Sequence, residues 1–148
     1  MLSGFLILSV CTRCRDDREA DNGDMRGGLR LARRVAAAFP KSDANRAGVR
    51  LQGVRCLSQC KRSCAMALSA SSRFTYIFGD LDPHRDVDDV LAVAALYAAS
   101  PDGFMRRDTR PPPMRCGVLG RIPPLDIDPD HALIEPLSSL ITSTEPNI

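Results

Sequence analysis

The sequence predicts an α/β domain over residues 1–100, with strands and helices in the order β-α-β-β-β-α. Three observations predict it. The chain has 148 residues, which is enough to bury a hydrophobic core without disulfide bonds. Its hydrophobic content of 44% and charged content of 26% are those of an ordinary globular domain. Short apolar runs alternate with segments of helical periodicity up to Ser100.

The first predicted unit is a strand, a helix and a second strand. Residues 5–11 form a nearly continuous apolar run, which is typical of a strand covered on both faces. We expect Asp24 to cap a helix whose other face carries charge. Residues 48–55 alternate in polarity and predict the second strand. The helix places apolar side chains at helical spacing and arginines opposite them: Met25, Leu29, Ala32, Val35, Ala36 and Phe39 against Arg26, Arg30, Arg33 and Arg34.

The second predicted unit is a hairpin followed by a helix. Residues 65–69 and 73–78 are strand candidates, and the small residues 70–72 between them predict the turn. Asp86 can cap the last helix, with Asp89 in its first turn. This order of elements resembles the thioredoxin-like arrangement. A right-handed crossover makes the first two strands parallel, so that both end at the same edge of the sheet.

Proline dominates the chain beyond Ser100, where nine of its 11 prolines lie. Because proline removes backbone hydrogen-bond donors, we expect little regular structure there. Residues 101–124 are predicted to form an extended Pro/Arg-rich strap. Residues 125–148 are predicted to form an acidic, disordered tail.

Charge is unevenly distributed along the chain. Residues 1–60 carry a net charge of +5, and residues 122–148 carry a net charge of −5. With five Phe, two Tyr and acidic residues interrupting the arginines, the sequence predicts no nucleic-acid-binding surface. The apolar start lacks the basic region of a signal peptide, and no segment approaches the roughly 18 apolar residues that span a membrane. We therefore expect a cytoplasmic protein whose thiols stay reduced.

Five of the six cysteines form two groups, each directly after a predicted strand. Clustered thiols in a reducing compartment indicate metal or redox chemistry more often than disulfides. Two cysteine pairs on adjacent loops can supply four thiolates, the soft ligands that suit zinc or the iron of an iron–sulfur cluster. The sequence therefore predicts a metal site, with Cys11, Cys14, Cys56, Cys60 and Cys64 as candidate ligands.

The spacing of these cysteines resembles that of known families. Cys11-Thr-Arg-Cys14 and Cys56-Leu-Ser-Gln-Cys60-Lys-Arg-Ser-Cys64 are similar to the pairs of thioredoxin-like 2Fe–2S ferredoxins and of a homologous peripheral subunit of respiratory NADH dehydrogenase. A closer resemblance, over about residues 5–124, is to an uncharacterised bacterial family of predicted metal-binding proteins. Its further motifs match Thr75-Tyr-Ile-Phe-Gly-Asp-Leu81, Asp102-Gly103, Arg110-Pro111 and Arg121-Ile-Pro-Pro124.

The resemblance implies a 2Fe–2S cluster ligated by Cys11, Cys14, Cys56 and Cys60. It implies an electron carrier or redox sensor, not an enzyme, that works with an unidentified redox partner protein. It also allows a homodimer, although the sequence itself shows no dimer face. Cys64 is then a fifth thiol, either an alternative ligand or a group behind the ligands. Cys116 matches no position of the family pattern and is expected to lie outside the site.

Two alternatives remain open from the residues. In the first, the same cysteines bind zinc or another metal ion, in a structural or carrier role. In the second, Cys11 and Cys14 form a thiol–disulfide oxidoreductase site. Three features argue against the oxidoreductase: a helix start near Asp24, distant from the thiols; the nearby acids Asp16, Asp17 and Glu19; and no proline before residues 65–69. His84 and His131 are assigned no role.

Overall fold

Five strands form one mixed sheet in the order β2-β1-β3-β4-β5 in the computed structural model, which describes residues 5–141. β1 and β2 are parallel, whereas the β1–β3, β3–β4 and β4–β5 pairs are antiparallel. The predicted α/β class, the parallel first pair and the β3–β4 hairpin are confirmed. The strands are β1 Leu6–Cys11, β2 Val49–Val54, β3 Met66–Ala70, β4 Thr75–Phe78 and β5 Val118–Ile122.

Two long helices pack with the sheet around the core. They contact each other, and the first also packs on β1. Buried side chains from the central strands, such as Leu8, Leu68 and Tyr76, meet Leu31 and Val90 of the helices. Each such side chain contributes about 1.5 to 3 kcal/mol through burial. The helices are α1 Gly27–Ala38, α2 Asp43–Arg46, α3 Val87–Ala99, α4 Pro113–Cys116 and α5 Leu137–Leu140. No helix within residues 5–141 has the length and apolar character needed to cross a membrane.

The start of α1 differs from the prediction. Asp24 has a φ of +60° and lies in the turn before the helix, which begins three residues later at Gly27. The cap comes instead from Glu19, whose carboxylate accepts hydrogen bonds of 3.0 Å from the N–H groups of Gly27 and Asp16. The bond from Asp16 is the main cause that lowers the pKa of Glu19 to about 2. The expectation that Asp24 caps the helix is therefore wrong, because the cap is eight residues before the helix.

The glycine pair at the start of α1 lets the helix backbone approach the segment after β1. A Cβ atom on Gly28 would lie 2.3 Å from the carbonyl oxygen of Cys11, and one on Gly27 would lie 2.7 Å from the Asp16 side chain. The Gly28 N–H donates a 2.9 Å hydrogen bond to the carbonyl of Cys14. The N-terminus of α1 is thus fixed against the first cysteine group.

The proline-rich strap supplies the fifth strand. Tyr76 of β4 pairs with Arg121 of β5. The expectation of little regular structure is wrong for residues 118–122, because residues 114–122 contain no proline and keep their donors. Two of the strap arginines, Arg110 and Arg121, have structural contacts. Arg110 is buried and donates to the carbonyl of Met114 at 2.9 Å, while the Arg121 guanidinium lies 4.9 Å from the centre of the Phe104 ring.

The first part of the predicted tail lies on the domain. Ile127 packs against the core, and the Ser72 hydroxyl donates a 2.5 Å hydrogen bond to Asp126. His131 lies 3.4 Å from the Asp102 carboxylate and packs edge-on against Phe74, with ring centres 5.4 Å apart. The division at residues 100 and 124 stays a prediction. Residues 1–4 and 142–148, on which parts of the domain and tail predictions fall, lie outside the described residues.

The contact between α1 and Cys11 predicts a large effect for Gly28→Ala. Alanine ordinarily stabilises a helix relative to glycine, by up to about 1 kcal/mol. Here its methyl group would collide with a backbone carbonyl, so we expect the free energy of unfolding to fall by about 1 to 3 kcal/mol. Urea denaturation measures the change.

Gly120→Ala is the matched control. The nearest atom to a Cβ there is 3.9 Å away, so we expect a change within about 0.5 kcal/mol. Equal effects of the two substitutions would contradict the close packing at Gly28.

Candidate metal centre

Both cysteine groups lie at one edge of the sheet. Cys11 is the last residue of β1 and pairs with Val54, the last residue of β2. β3 runs antiparallel to β1, so its first residue, Met66, starts at the same edge opposite Val10. The loop after β1 carries Cys14, and the connection from β2 to β3 carries Cys56, Cys60 and Cys64. The parallel pairing therefore places the two groups side by side, as the sequence predicts.

Hydrogen bonds join the two cysteine loops. The Thr12 N–H donates to the carbonyl of Val54 at 2.8 Å, and the Cys11 N–H donates to the carbonyl of Ala65 at 3.0 Å. The Ser63 hydroxyl donates to the carbonyl of Arg15 at 2.5 Å. These bonds tie the loop after β1 to both ends of the β2–β3 connection, so the loops form one continuous surface.

Cys11 and Cys14 form a buried pair of free thiols. The Cys14 thiol donates to the Cys11 sulfur, with the two sulfur atoms 3.3 Å apart. The Cys11 sulfur also lies 3.9 Å from the carbonyl oxygen of Arg55, in the second loop. The first loop's sulfur thus contacts the second loop directly.

The two thiols of this pair differ in acidity. Burial, reinforced by the hydrogen bond to Cys11, raises the pKa of Cys14 to about 12. Burial also opposes ionisation of Cys11, but peptide N–H groups of Arg13 and Leu57 are directed at its sulfur and bring its pKa below the ordinary value. The surroundings therefore stabilise a thiolate at Cys11.

Cys64 lies fully buried behind this pair. It follows a cis peptide bond from Ser63 and precedes β3. Its N–H and carbonyl groups exchange hydrogen bonds of 3.2 and 3.1 Å with Leu81. Burial, reinforced by the nearby Asp16 carboxylate, raises the pKa of Cys64 to about 12. Cys64 is therefore a protonated, solvent-inaccessible thiol.

Cys56 and Cys60 are exposed at the surface of the second loop. The Cys56 sulfur accepts a 3.2 Å hydrogen bond from the N–H of Ser58, which has a φ of +58°. Cys60 starts the short 3-10 turn Cys60–Arg62. Arg62 anchors this turn through a two-pronged ion pair with Asp80, at 2.5 to 3.0 Å.

The cysteines do not converge on one point as they stand. Among residues 5–141, no three His, Cys, Asp or Glu side chains are grouped so that they could hold a metal ion. Of the predicted ligands, the structure brings only Cys11 and Cys14 into sulfur contact, and Cys56, Cys60 and Cys64 lie on the neighbouring connection between β2 and β3. The donor set fits a soft metal in kind, since it consists of thiols, one of which is stabilised as a thiolate.

A buried ion cluster beneath the first loop was missed by the sequence analysis. Arg30 was expected on the charged face of α1, but it is buried and pairs with Asp16 and, at 3.6 Å, with Glu19. It also donates to the carbonyl of Met25 at 3.1 Å and lies 3.3 Å from the His84 ring. The available signal was the run of acids after Cys14, which needs a nearby cation. These acids are thus partly neutralised.

One oxygen of this cluster has no partner. Oδ2 of Asp16 is buried and accepts no hydrogen bond, whereas Oδ1 accepts from Arg30 and from the N–H of Arg18.

Cys116 lies at the end of α4, where its sulfur accepts a 3.6 Å hydrogen bond from Arg107. The structure therefore places Cys116 in a different setting from the five clustered cysteines.

Comparison with known proteins gives one match. The family described as "Protein of unknown function (DUF1636)" matches residues 8–124. This span begins within β1, ends just after β5 and includes both cysteine loops. No curated protein and no solved structure matches the chain. Since the matched span is well over half of the 148 residues, the chain belongs to this family of unknown function.

Proposed function

We propose that this chain is a thiolate-ligated metal-binding protein with a thioredoxin-like core, and that the group it binds is a 2Fe–2S cluster. The observation that carries the proposal is the contact between the two cysteine loops. The Cys11 sulfur lies 3.9 Å from the carbonyl oxygen of Arg55, which belongs to the second loop. A ligand of the first loop is thus adjacent to the loop that carries the second pair.

The sheet supports the thioredoxin-like assignment. β2, β1, β3 and β4 are neighbours in that order, with one parallel and two antiparallel pairs, and α1 is the crossover between β1 and β2. This agrees with the predicted β-α-β-β-β-α order. β5 then extends the sheet beyond β4 as an addition from the strap.

Cys11, Cys14, Cys56 and Cys60 are the proposed ligands. The first two form a pair already in contact, and the last two lie on an exposed loop fixed at β2 and at the Cys64–Leu81 hydrogen bonds. Cys64 is less suited, because it is fully buried and, unlike the equally buried Cys14, its sulfur makes no contact with the Cys11 sulfur. We assign Cys64 to the wall behind the ligands.

A 2Fe–2S cluster bound here would supply single-electron transfer to a redox partner protein. The chain's own residues would set its potential through burial and through hydrogen bonds to sulfur. The peptide N–H groups of Arg13 and Leu57 lower the pKa of Cys11 and would act on the cluster in the same direction, by favouring negative charge on sulfur. Arg13, Arg55 and Lys61 are exposed around the loops and would offset the negative charge of a four-thiolate centre. A cytoplasmic setting accords with six free cysteines.

Zinc is the alternative metal. Four thiolates also form closed structural zinc sites, in which the ion stabilises the fold and transfers no electrons. The same four cysteines would serve, so ligand substitution alone does not separate the two metals. Elemental analysis of the purified protein separates zinc from iron.

A thiol–disulfide function is the second candidate, and the Cys11–Cys14 pair favours it. The two sulfurs are 3.3 Å apart, one thiol is more acidic than usual, and the other is less acidic. Two arguments against this function from the sequence also weaken. Arg30 pairs with Asp16 and Glu19, and the start of α1 bonds directly to Cys14. In this function the two thiols lose two electrons and two protons to a disulfide substrate, and Cys56 and Cys60 are not required.

Protein purified without air is predicted to be brown, with about two iron and about two sulfide ions per chain. Visible absorption and elemental analysis measure this. Colourless protein with one zinc ion per chain would contradict the cluster and support the zinc site. Metal-free protein that reduces a disulfide substrate would favour the dithiol function.

Serine substitutions distinguish the loops. Cys56→Ser and Cys60→Ser should each abolish metal retention, because each removes one of four ligands. Both positions are exposed, so the fold should tolerate the change, and circular dichroism checks this. Cys116→Ser, at another exposed cysteine, is the matched control and should retain the metal. Equal loss in Cys116→Ser would show that the ligand assignment is wrong.

A further inference from the structure

Cations border the proposed ligands on both cysteine loops. Four exposed cations are immediate chain neighbours of a ligand, so the Cα atoms of cation and cysteine are about 3.8 Å apart. A fifth, half-buried cation joins them, because the Arg26 guanidinium donates a 3.0 Å hydrogen bond to the carbonyl of Arg13. We call these five cations the basic edge: Arg13, Arg15, Arg26, Arg55 and Lys61.

Backbone contacts bring the cations of the two loops together. The Arg15 carbonyl accepts a 2.5 Å hydrogen bond from the hydroxyl of Ser63, which lies in the second loop. The Arg55 carbonyl lies 3.9 Å from the Cys11 sulfur of the first loop. Lys61 lies in the 3-10 turn of the second loop. The basic edge is therefore one surface that spans both loops.

The four exposed cations of the basic edge have no partners within residues 5–141. None of their side chains makes a hydrogen bond or an ion pair there, and Arg26 has no carboxylate partner among the same residues. Several exposed arginines elsewhere do pair with carboxylates: Arg18 with Asp82, Arg46 with Asp43, Arg85 with Asp86 and Arg106 with Asp108. The cations beside the cysteines are therefore left available to a partner.

The acids of the cysteine loops compensate little of this charge. In residues 12–17, Asp16 pairs with Arg30, so that Asp17 is the exposed carboxylate left without a cation in the described chain. Residues 55–65 contain no acid, and this loop carries the exposed Cys56 and Cys60. A 2Fe–2S cluster held by four thiolates adds roughly two negative charges when oxidised and roughly three when reduced. With five cations, the basic edge stays positive in both states.

The composition of the loops favours a protein partner over a nucleic acid. Residues 12–17 and 55–65 contain no Phe, Tyr or Trp, so nucleic-acid bases would find no aromatic ring to stack on. An electron carrier also has to contact its partner on the exposed side of its cluster. The exposed Cys56 and Cys60 mark that side, and cations of the basic edge flank both.

We propose that the redox partner of this chain is a protein with an acidic surface, which docks on the basic edge over Cys56 and Cys60. The inference rests on the proposed function. Carboxylates of the partner pair with Arg55 and Lys61, and opposite charges accelerate the encounter and fix its orientation. Because exposed charges are screened, the association weakens as the salt concentration rises.

Binding of an acidic peptide probes this surface. A fluorescein-labelled peptide of about ten glutamates should bind the full chain, purified without air, in fluorescence anisotropy at about 20 mM salt. Its dissociation constant should rise at least about fivefold at about 200 mM salt. The double substitution Arg55→Gln and Lys61→Gln should raise the constant at least about threefold at low salt, because it removes two exposed cations. Iron and sulfide analysis checks that this variant keeps its cluster.

The double substitution Arg33→Gln and Lys41→Gln is the matched control. Both residues are exposed cations whose side chains have no partner within residues 5–141, and both lie outside the cysteine loops. The control removes the same net charge as the first variant and should leave the dissociation constant unchanged.

Three results would overturn the inference: equal effects of the two double variants, a brown protein that does not bind the glutamate peptide, and tighter binding of an RNA oligomer of equal charge. The last of these would indicate a nucleic-acid partner. A colourless protein without iron would instead overturn the proposed function itself, which keeps the two failures distinguishable.

Discussion

The parallel pairing of β1 with β2 is the interaction on which the rest of the site depends. Its register ends with Cys11 opposite Val54, so the loops that leave both strands begin at the same edge of the sheet. The antiparallel β3 starts at that edge too, which returns the second cysteine loop to the core beside Cys11. A shift of one residue would turn the Cys11 side chain to the opposite face of the sheet. Because β1 is central and almost fully buried, such a shift would also expose its apolar side chains.

The α1 terminus and its buried charges complete this arrangement. Gly28 allows the helix backbone to contact the Cys11 carbonyl, and Glu19 caps the same helix end. Arg30 then places a buried cation between Glu19 and Asp16, directly beneath the loop. Removing Arg30 would leave the buried Asp16 carboxylate without its counter-ion, which would destabilise the fold. The first cysteine loop is therefore stabilised by the ion cluster of Arg30, Asp16 and Glu19 and by the contact of the α1 backbone with the Cys11 carbonyl.

Much of this architecture follows from local patterns in the sequence, and its exceptions have physical causes. The apolar run before Cys11, the alternation in residues 48–55 and the spacing after Asp86 predicted β1, β2 and α3 well. The start of α1 was mispredicted because its cap is Glu19, which the chain brings back from eight residues away. β5 was missed because the average proline content of the strap obscured a proline-free stretch. Arg30 was assigned to solvent because its partners lie in a loop that helical periodicity does not describe.

Spacing and topology placed the two cysteine groups at one sheet edge, but the local sequence pattern does not encode how their sulfur atoms lie relative to one another, and only Cys11 and Cys14 are in contact. The most direct test uses the exposure of the second pair. In protein purified without air, thiol alkylation followed by mass spectrometry should find Cys56 and Cys60 unreactive until a chelator removes the metal, because ligation blocks them. Cys116, which is exposed in the same structure, should react throughout. If Cys56 and Cys60 are instead alkylated as fast as Cys116 before any chelator is added, the two loops do not share a metal centre.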